Sequence, residues 1–179
     1  MDAISFKEAL AEAKPSVQDL ITAGLSETEA SQFLLSYDVV DRMEKRTSEI
    51  PDPTLRDLFS RFDPSGVEIG MVRLLEHPKS TEFGWVLGLV ESDLIIIDRN
   101  NDEIVSIDHN VPGHVVWRCS KDGNCLLSAL AVSAKYLSGL VLERDYDETY
   151  KQDTLSKCTD LAGGSRYSDF FRMLLILDE

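Results

Sequence analysis

Between Phe83 and Leu137 the chain alternates short apolar runs with polar breaks. It reads FGWVLGLV, DLIIID, the turn-rich RNNDE, IVSIDHN, GHVVWRC and then DGNCLLSALAVSAKYL. Short β-branched runs bounded by Gly, Pro, Asn and Asp predict strands, and their close succession predicts an antiparallel meander. Gly84 and Gly88 inside the first run suit a bulge or the close approach of another backbone. Leu94 to Ile97 is apolar at every position, so both of its faces are expected to be covered. Asn100 and Asn101 tolerate the left-handed geometry of a hairpin turn. Val105 and Ile107 alternate with Ser106 and Asp108, a half-buried pattern, and Val115 to Cys119 completes the sheet. Leu126, Leu127, Leu130, Ala131, Ala134 and Leu137 then recur at three- and four-residue spacing. They predict a helix laid on that sheet and ending at Gly139.

Upstream, Val67 to Leu75 reads as one further strand between the Asp63-Pro64-Ser65-Gly66 turn and His77-Pro78. Residues 1–62 carry helical periodicity. Ser5 and Glu8 suggest a capping box for a helix burying Phe6, Leu10 and Ala13, which ends at Pro15. A short helix with Val17, Leu20 and Ile21 stops at Gly24. Ser26 and Glu29 form a second capping box, opening a helix with Ala30, Phe33, Leu34, Tyr37 and Val40 inward. Leu55, Leu58, Phe59 and Phe62 form another after Pro51-Asp52-Pro53. Downstream, an acidic exposed stretch (Glu143, Asp145, Asp147, Glu148) precedes a break at Gly163-Gly164, and Tyr167 to Leu177 reads as a final docked helix. The expectation is one domain over 1–179: a helical part (1–62), a sheet with its helix (63–139) and a C-terminal helical extension (140–179).

Charge narrows the function. With 32 acidic against 18 basic residues the net charge is −14, which repels phosphate and argues against nucleic-acid binding. Val17 to Val40 has the outline of a helix-turn-helix, but its second helix, ETEASQFLLSYD, offers no Lys or Arg to a groove. The acidity either keeps the surface soluble or presents a face to a basic protein. The N-terminus lacks the basic start and apolar core of a secretion signal, and no apolar run approaches the roughly 18 residues that span a bilayer. Three cysteines without a CxxC pair suit free thiols in a reducing compartment, so the cytoplasm is the expected location. No phosphate-cradling glycine loop occurs, and no cofactor is implied. His109 beside Asp108, with His114 nearby, has the residue types of a metal site. The plainer account is turn histidines, since no second cluster completes a coordination sphere. Trp85 and Trp117 are expected in the core.

Asp122-Gly123-Asn124-Cys125-Leu126 resembles the nucleophile motif of the ovarian-tumour (OTU) cysteine hydrolases, in which the cysteine opens a helix whose N-terminus favours the thiolate. A thiol nucleophile also needs a base. In that family the histidine lies far downstream, whereas His77, His109 and His114 all precede Cys125. The reading adopted is that Gly123 and Asn124 shape a strand-to-helix turn and Cys125 packs as a small apolar residue.

A wider resemblance rests on four segments together: FGWVLGLV, DLIIID, the returning hairpin DEIVSIDHN, and a strand leading into LLSALAVSAKYL. Over roughly residues 26–138 the chain is similar to the SUKH superfamily of bacterial toxin-immunity proteins and a related fungal cell-wall regulator. The resemblance implies an α+β fold, with a central, mostly antiparallel sheet of about five or six strands flanked by helices. It implies a non-catalytic protein that binds and neutralises a cognate toxin, a basic protein such as a nuclease. Two acidic groups are candidates for the contact: Asp98, Asp102, Glu103 and Asp108 about the hairpin, and Glu143, Asp145 and Asp147 after the helix. A cysteine hydrolase using Cys125 and a regulatory interaction module of the same fold remain the alternatives.

Overall fold

The leucine-rich helix is the element on which the others pack. In a computed structural model, which describes residues 1–44 and 49–177, the order is α1 (Ala3–Ala13), α2 (Val17–Thr22), α3 (Glu27–Leu35), β1 (Val40–Asp41), α4 (Pro53–Arg61), β2 (Phe62–Asp63), β3 (Glu68–Ile69), β4 (Val72–Ser80), β5 (Gly84–Val90), β6 (Asp93–Asp98), β7 (Ile104–Ile107), β8 (Val115–Ser120), α5 (Gly123–Val141), α6 (Glu148–Ala162), a 3-10 turn (Ser165–Tyr167) and α7 (Ser168–Leu174). The fold is α+β. Strands β3 to β8 form a six-stranded antiparallel sheet in sequence order, and β1 pairs with β2 apart from it.

One apolar cluster joins α1 (Phe6, Leu10), α4 (Leu55, Leu58), the sheet (Val72, Leu87, Ile95, Ile97, Ile104), α5 (Leu126, Leu127, Leu130) and α7 (Phe170, Phe171, Leu174). Burying each such side chain contributes roughly 1.5–3 kcal/mol, so α5, which supplies three leucines, anchors the assembly. Among the described helices α5 alone is long and apolar enough to cross a membrane by composition, but here most of it is buried inside the protein. A smaller cluster of Val86, Ile96, Val105 and Ile107 fills the opposite sheet face, with Phe83 and Val115 packed against it. Ile95 and Ile97 thus face one cluster and Ile96 the other, as the all-apolar run requires.

The caps follow sequence logic in part. Ser26 and Glu29 make the expected capping box of α3. Gly24 takes φ +98° just past α2. For α1 the cap is Asp2 rather than Ser5: Asp2 Oδ1 accepts from Ser5 N at 2.8 Å. Val40 is exposed, because α3 stops at Leu35 and the chain is extended there. Val67 to Leu75 is not one strand. Gly70, at φ +58°, turns the chain so that β3 folds back on β4, which runs on through His77 and Pro78 to Ser80.

Gly88 and Gly84 are sites of close approach: a Cβ would lie 2.2 Å from Arg73 O and 1.8 Å from Ile97 O respectively. Strand β7 is buried at every position: Val105 and Ile107 lie in the second cluster, while Ser106, paired with Ile95, shares with Ile104 the face that meets the main core. The left-handed residue of the β6–β7 turn is Asp102, at φ +58°, not an asparagine. Gly139 does not end α5. It lies within the helix under Tyr146, whose hydroxyl would be 1.7 Å from a Cβ there. Within the expected helical extension, helix α6 fills the interval from Glu148 to the break at Gly163, and the final helix is split into the 3-10 turn and α7. Trp85 and Trp117 are half-buried and pack against the main core.

Candidate functional site

The start of α5 shows why DGNC has the form it has. Asp122 caps the helix, accepting from Cys125 N at 2.8 Å. Asp52 serves two helices at once: Oδ1 accepts from Leu55 N at the start of α4 (2.8 Å), and Oδ2 accepts from Gly123 N (2.9 Å). A Cβ at Gly123 would sit 2.3 Å from Asp52 Oδ1, so only glycine lets the two helix starts meet. Burial, then the hydrogen bond and negative charge of Asp122, push the Cys125 thiol up to about 11. That reverses the thiolate-favouring effect of a helix N-terminus.

Two of the three histidines lie against carboxylates. His109 Nδ1 is 2.9 Å from Asp93 Oδ1, His77 Nε2 is 3.3 Å from Glu76 Oε1, and His114 lies in the β7–β8 loop, its carbonyl accepting from Asp108 N. Cys119 and Cys158 are buried, and Cys125 is half-buried.

The hairpin carboxylates do not form one face. Antiparallel pairing of β6 with β7 (Leu94 with Ile107, Ile97 with Ile104) puts Asp98, Asp102 and Glu103 at one end and Asp108 at the other. Asp98 Oδ1 accepts from Asn100 N and Nδ2, both at 3.0 Å, and so holds the turn. Asp102 is exposed. Glu103 is only 5% exposed. Its Oε2 accepts from Arg118 on β8 and, at 3.2 Å, from Arg166 in the 3-10 turn. Oε1 lies 3.1 Å from Arg166 Nη2 without hydrogen-bonding geometry. Tyr167 packs beside them, its phenol pushed up to about 12 by burial and then by the Glu103 carboxylate. Glu103 therefore ties the sheet to the C-terminal extension and does not display its charge to a partner.

At the far end Asp108 Oδ1 accepts from Asn110 N (2.6 Å) and Val111 N (3.2 Å). With Asp93 and His109 it forms a group whose ligand-type atoms lie within 4.8 Å of one another. His109 holds the Asp93 carboxyl below its usual range through a hydrogen bond. These contacts account for the group as the fastening of the β7–β8 loop to β6.

Glu143, Asp145 and Asp147 stay together, exposed, on the loop joining α5 to α6. Asp147 caps α6 by accepting from Tyr150 N at 2.7 Å. The loop is braced by stacked tyrosines: Tyr146 lies 5.1 Å from Tyr136 and 4.4 Å from Tyr150, ring centre to ring centre.

Sequence reasoning missed a groove of about 530 Å³ between α3, the β3–β4 turn and the second half of α5. Phe33, Tyr37, Ile69, Leu137 and Leu140 form its walls, with Glu29, Gln32 and Glu68 among its polar lining. Its parts come from segments far apart in the chain, so no local motif marks it. Comparison of the chain with family models, with curated proteins and with solved structures found no match.

Proposed function

We propose that this chain is a non-catalytic immunity protein that binds and neutralises a cognate basic toxin, such as a nuclease, in the cytoplasm. The reading is carried by the surplus of carboxylates, net −14, of which Glu143, Asp145 and Asp147 stand exposed on one braced loop. A nuclease presents a basic cleft to phosphate; an acidic face both occupies such a cleft and speeds encounter. The α+β architecture, with a curled antiparallel sheet under a leucine-bearing helix, is the one the SUKH resemblance implies. The raised Cys125 thiol weighs against hydrolysis through that residue.

The test is to co-express the chain with the product of the neighbouring gene, then measure neutralisation and affinity at low and high salt. The expected result is a complex that weakens at least about tenfold as salt screens the carboxylates. A neighbour that is not bound, or a complex indifferent to ionic strength, sinks the reading. Cys125 supplies a separate check. With its thiol at about 11 rather than 9.0, its alkylation at neutral pH should run about a hundredfold slower than that of a free thiol. Fast, selective alkylation of Cys125 would favour the hydrolase instead.

A further inference from the structure

The groove between α3, the β3–β4 turn and α5 differs from the acidic loops in having an apolar floor. Ala134, Leu137, Leu140 and Val141 on α5 form one wall, Phe33 and Tyr37 the other, and Ile69 and Gly70 close one end. Tyr37 is fixed, its hydroxyl donating to Ala134 O at 3.4 Å. Apolar surface continues outward at Ile176, which lines the groove yet is 69% exposed. An open trough with an apolar rim suits a segment of another protein better than an enclosed small molecule.

Charge indicates what kind of segment. Both charged residues lining the groove, Glu29 and Glu68, are acidic and exposed, and the described lining contains no Lys or Arg. The Ser26 backbone N–H and hydroxyl donate to Glu29 Oε2 at 2.8 and 2.6 Å. These bonds hold its carboxyl below the usual range and keep it charged into the acid region. Neither carboxylate is needed to bury the core beneath. They flank a hydrophobic slot with negative charge, the complement of an apolar stripe edged by lysine or arginine.

Resting on the reading of the chain as a binder of a basic protein, we propose that this groove seats a basic amphipathic helix of the partner. Leucine- or phenylalanine-type side chains enter between Phe33 and Leu137, and cationic side chains reach Glu29 and Glu68. The anchor of the complex is then this slot, and the carboxylates of the α5–α6 loop contribute steering.

The probe is a synthetic amphipathic peptide of about 14 residues, with leucines at i, i+3, i+4 and i+7 and lysines elsewhere. A counterpart carries glutamate for lysine. Each is titrated into the ¹⁵N-labelled chain, followed by amide shifts. The lysine peptide is expected to shift Gly70, Ala134, Leu137 and Leu140, and the glutamate peptide is not. Gln32→Arg and Glu68→Lys change exposed positions without touching the core. Each should weaken the lysine peptide about tenfold, while Asp145→Asn leaves its affinity within about twofold. Shifts gathered on residues 143–147, equal binding of both peptides, or rim variants that bind as well as the parent would each overturn the proposal. The peptide carries the chemistry without the toxin. Failure here therefore leaves the neutralisation assay standing, and failure of that assay leaves the groove result standing.

Discussion

Glu103 and Asp145 belong to the same acidic surplus, yet the protein uses them in opposite ways. Glu103 is buried between the end of the β6–β7 turn and the 3-10 turn, held by Arg118 and Arg166. Asp145 stands in water on the α5–α6 loop, where Tyr146 stacked between Tyr136 and Tyr150 fixes the backbone and leaves the charges free. The first carboxylate fastens two parts of the chain; the second is available to meet something else. What separates them is the position of the arginines, 15 and 63 residues away in sequence from Glu103. A count of charges along a segment cannot distinguish a clasp from a contact surface.

The contrast can be broken at its strongest point first. Glu103→Ala should cost about 3 kcal/mol in denaturant unfolding, at the low end for losing one partner of a buried ion pair because both arginines still reach water. Arg118→Ala alone should cost less, since Arg166 remains; an equal loss would mean the two arginines do not share the load. Gly139→Ala forces a methyl group against the Tyr146 hydroxyl. It should destabilise by about 2 kcal/mol and loosen the loop, seen as faster amide exchange over residues 143–147. Asp147→Ala removes the cap of α6 and should cost about 1 kcal/mol in the same unfolding experiment. Smallest of all, Glu143→Gln with Asp145→Asn should change stability by no more than about 0.5 kcal/mol. Any effect of that pair on binding of the proposed basic partner should appear in the association rate and its salt dependence. A stability loss from the pair comparable to that of Glu103→Ala would erase the distinction drawn here.

The sheet and its helix were readable because their signals are local. The β-branched runs of β5, β6 and β8, the leucine spacing of α5, and Asp52-Pro53 opening α4 are each specified within a few residues. The β3–β4 turn escaped because Val67, Ile69, Val72 and Leu74 are apolar on both sides of it, and Gly70 was the only break. The bounds of α6 within the expected helical extension are not legible, because its buried face is made of Thr154, Leu155, Cys158, Thr159 and Ala162, mostly small or polar residues that leave a faint stripe. Gly139 was legible as special, but its purpose depends on Tyr146, across the turn between two helices. The groove was hidden for the same reason on a larger scale: Phe33, Ile69 and Leu137 meet only after three distant segments have packed.

Strands β3 to β8 follow one another in the sheet in the order they occur in the chain. Each can therefore be added to its predecessor as it leaves the ribosome. Helix α1 has no such neighbour, because the surface it covers belongs to α5 and α4. Helix α1 must wait, its apolar face covered only in part by α4, until residues beyond 123 emerge, so nascent chains cut short before that point should be the ones that chaperones retain.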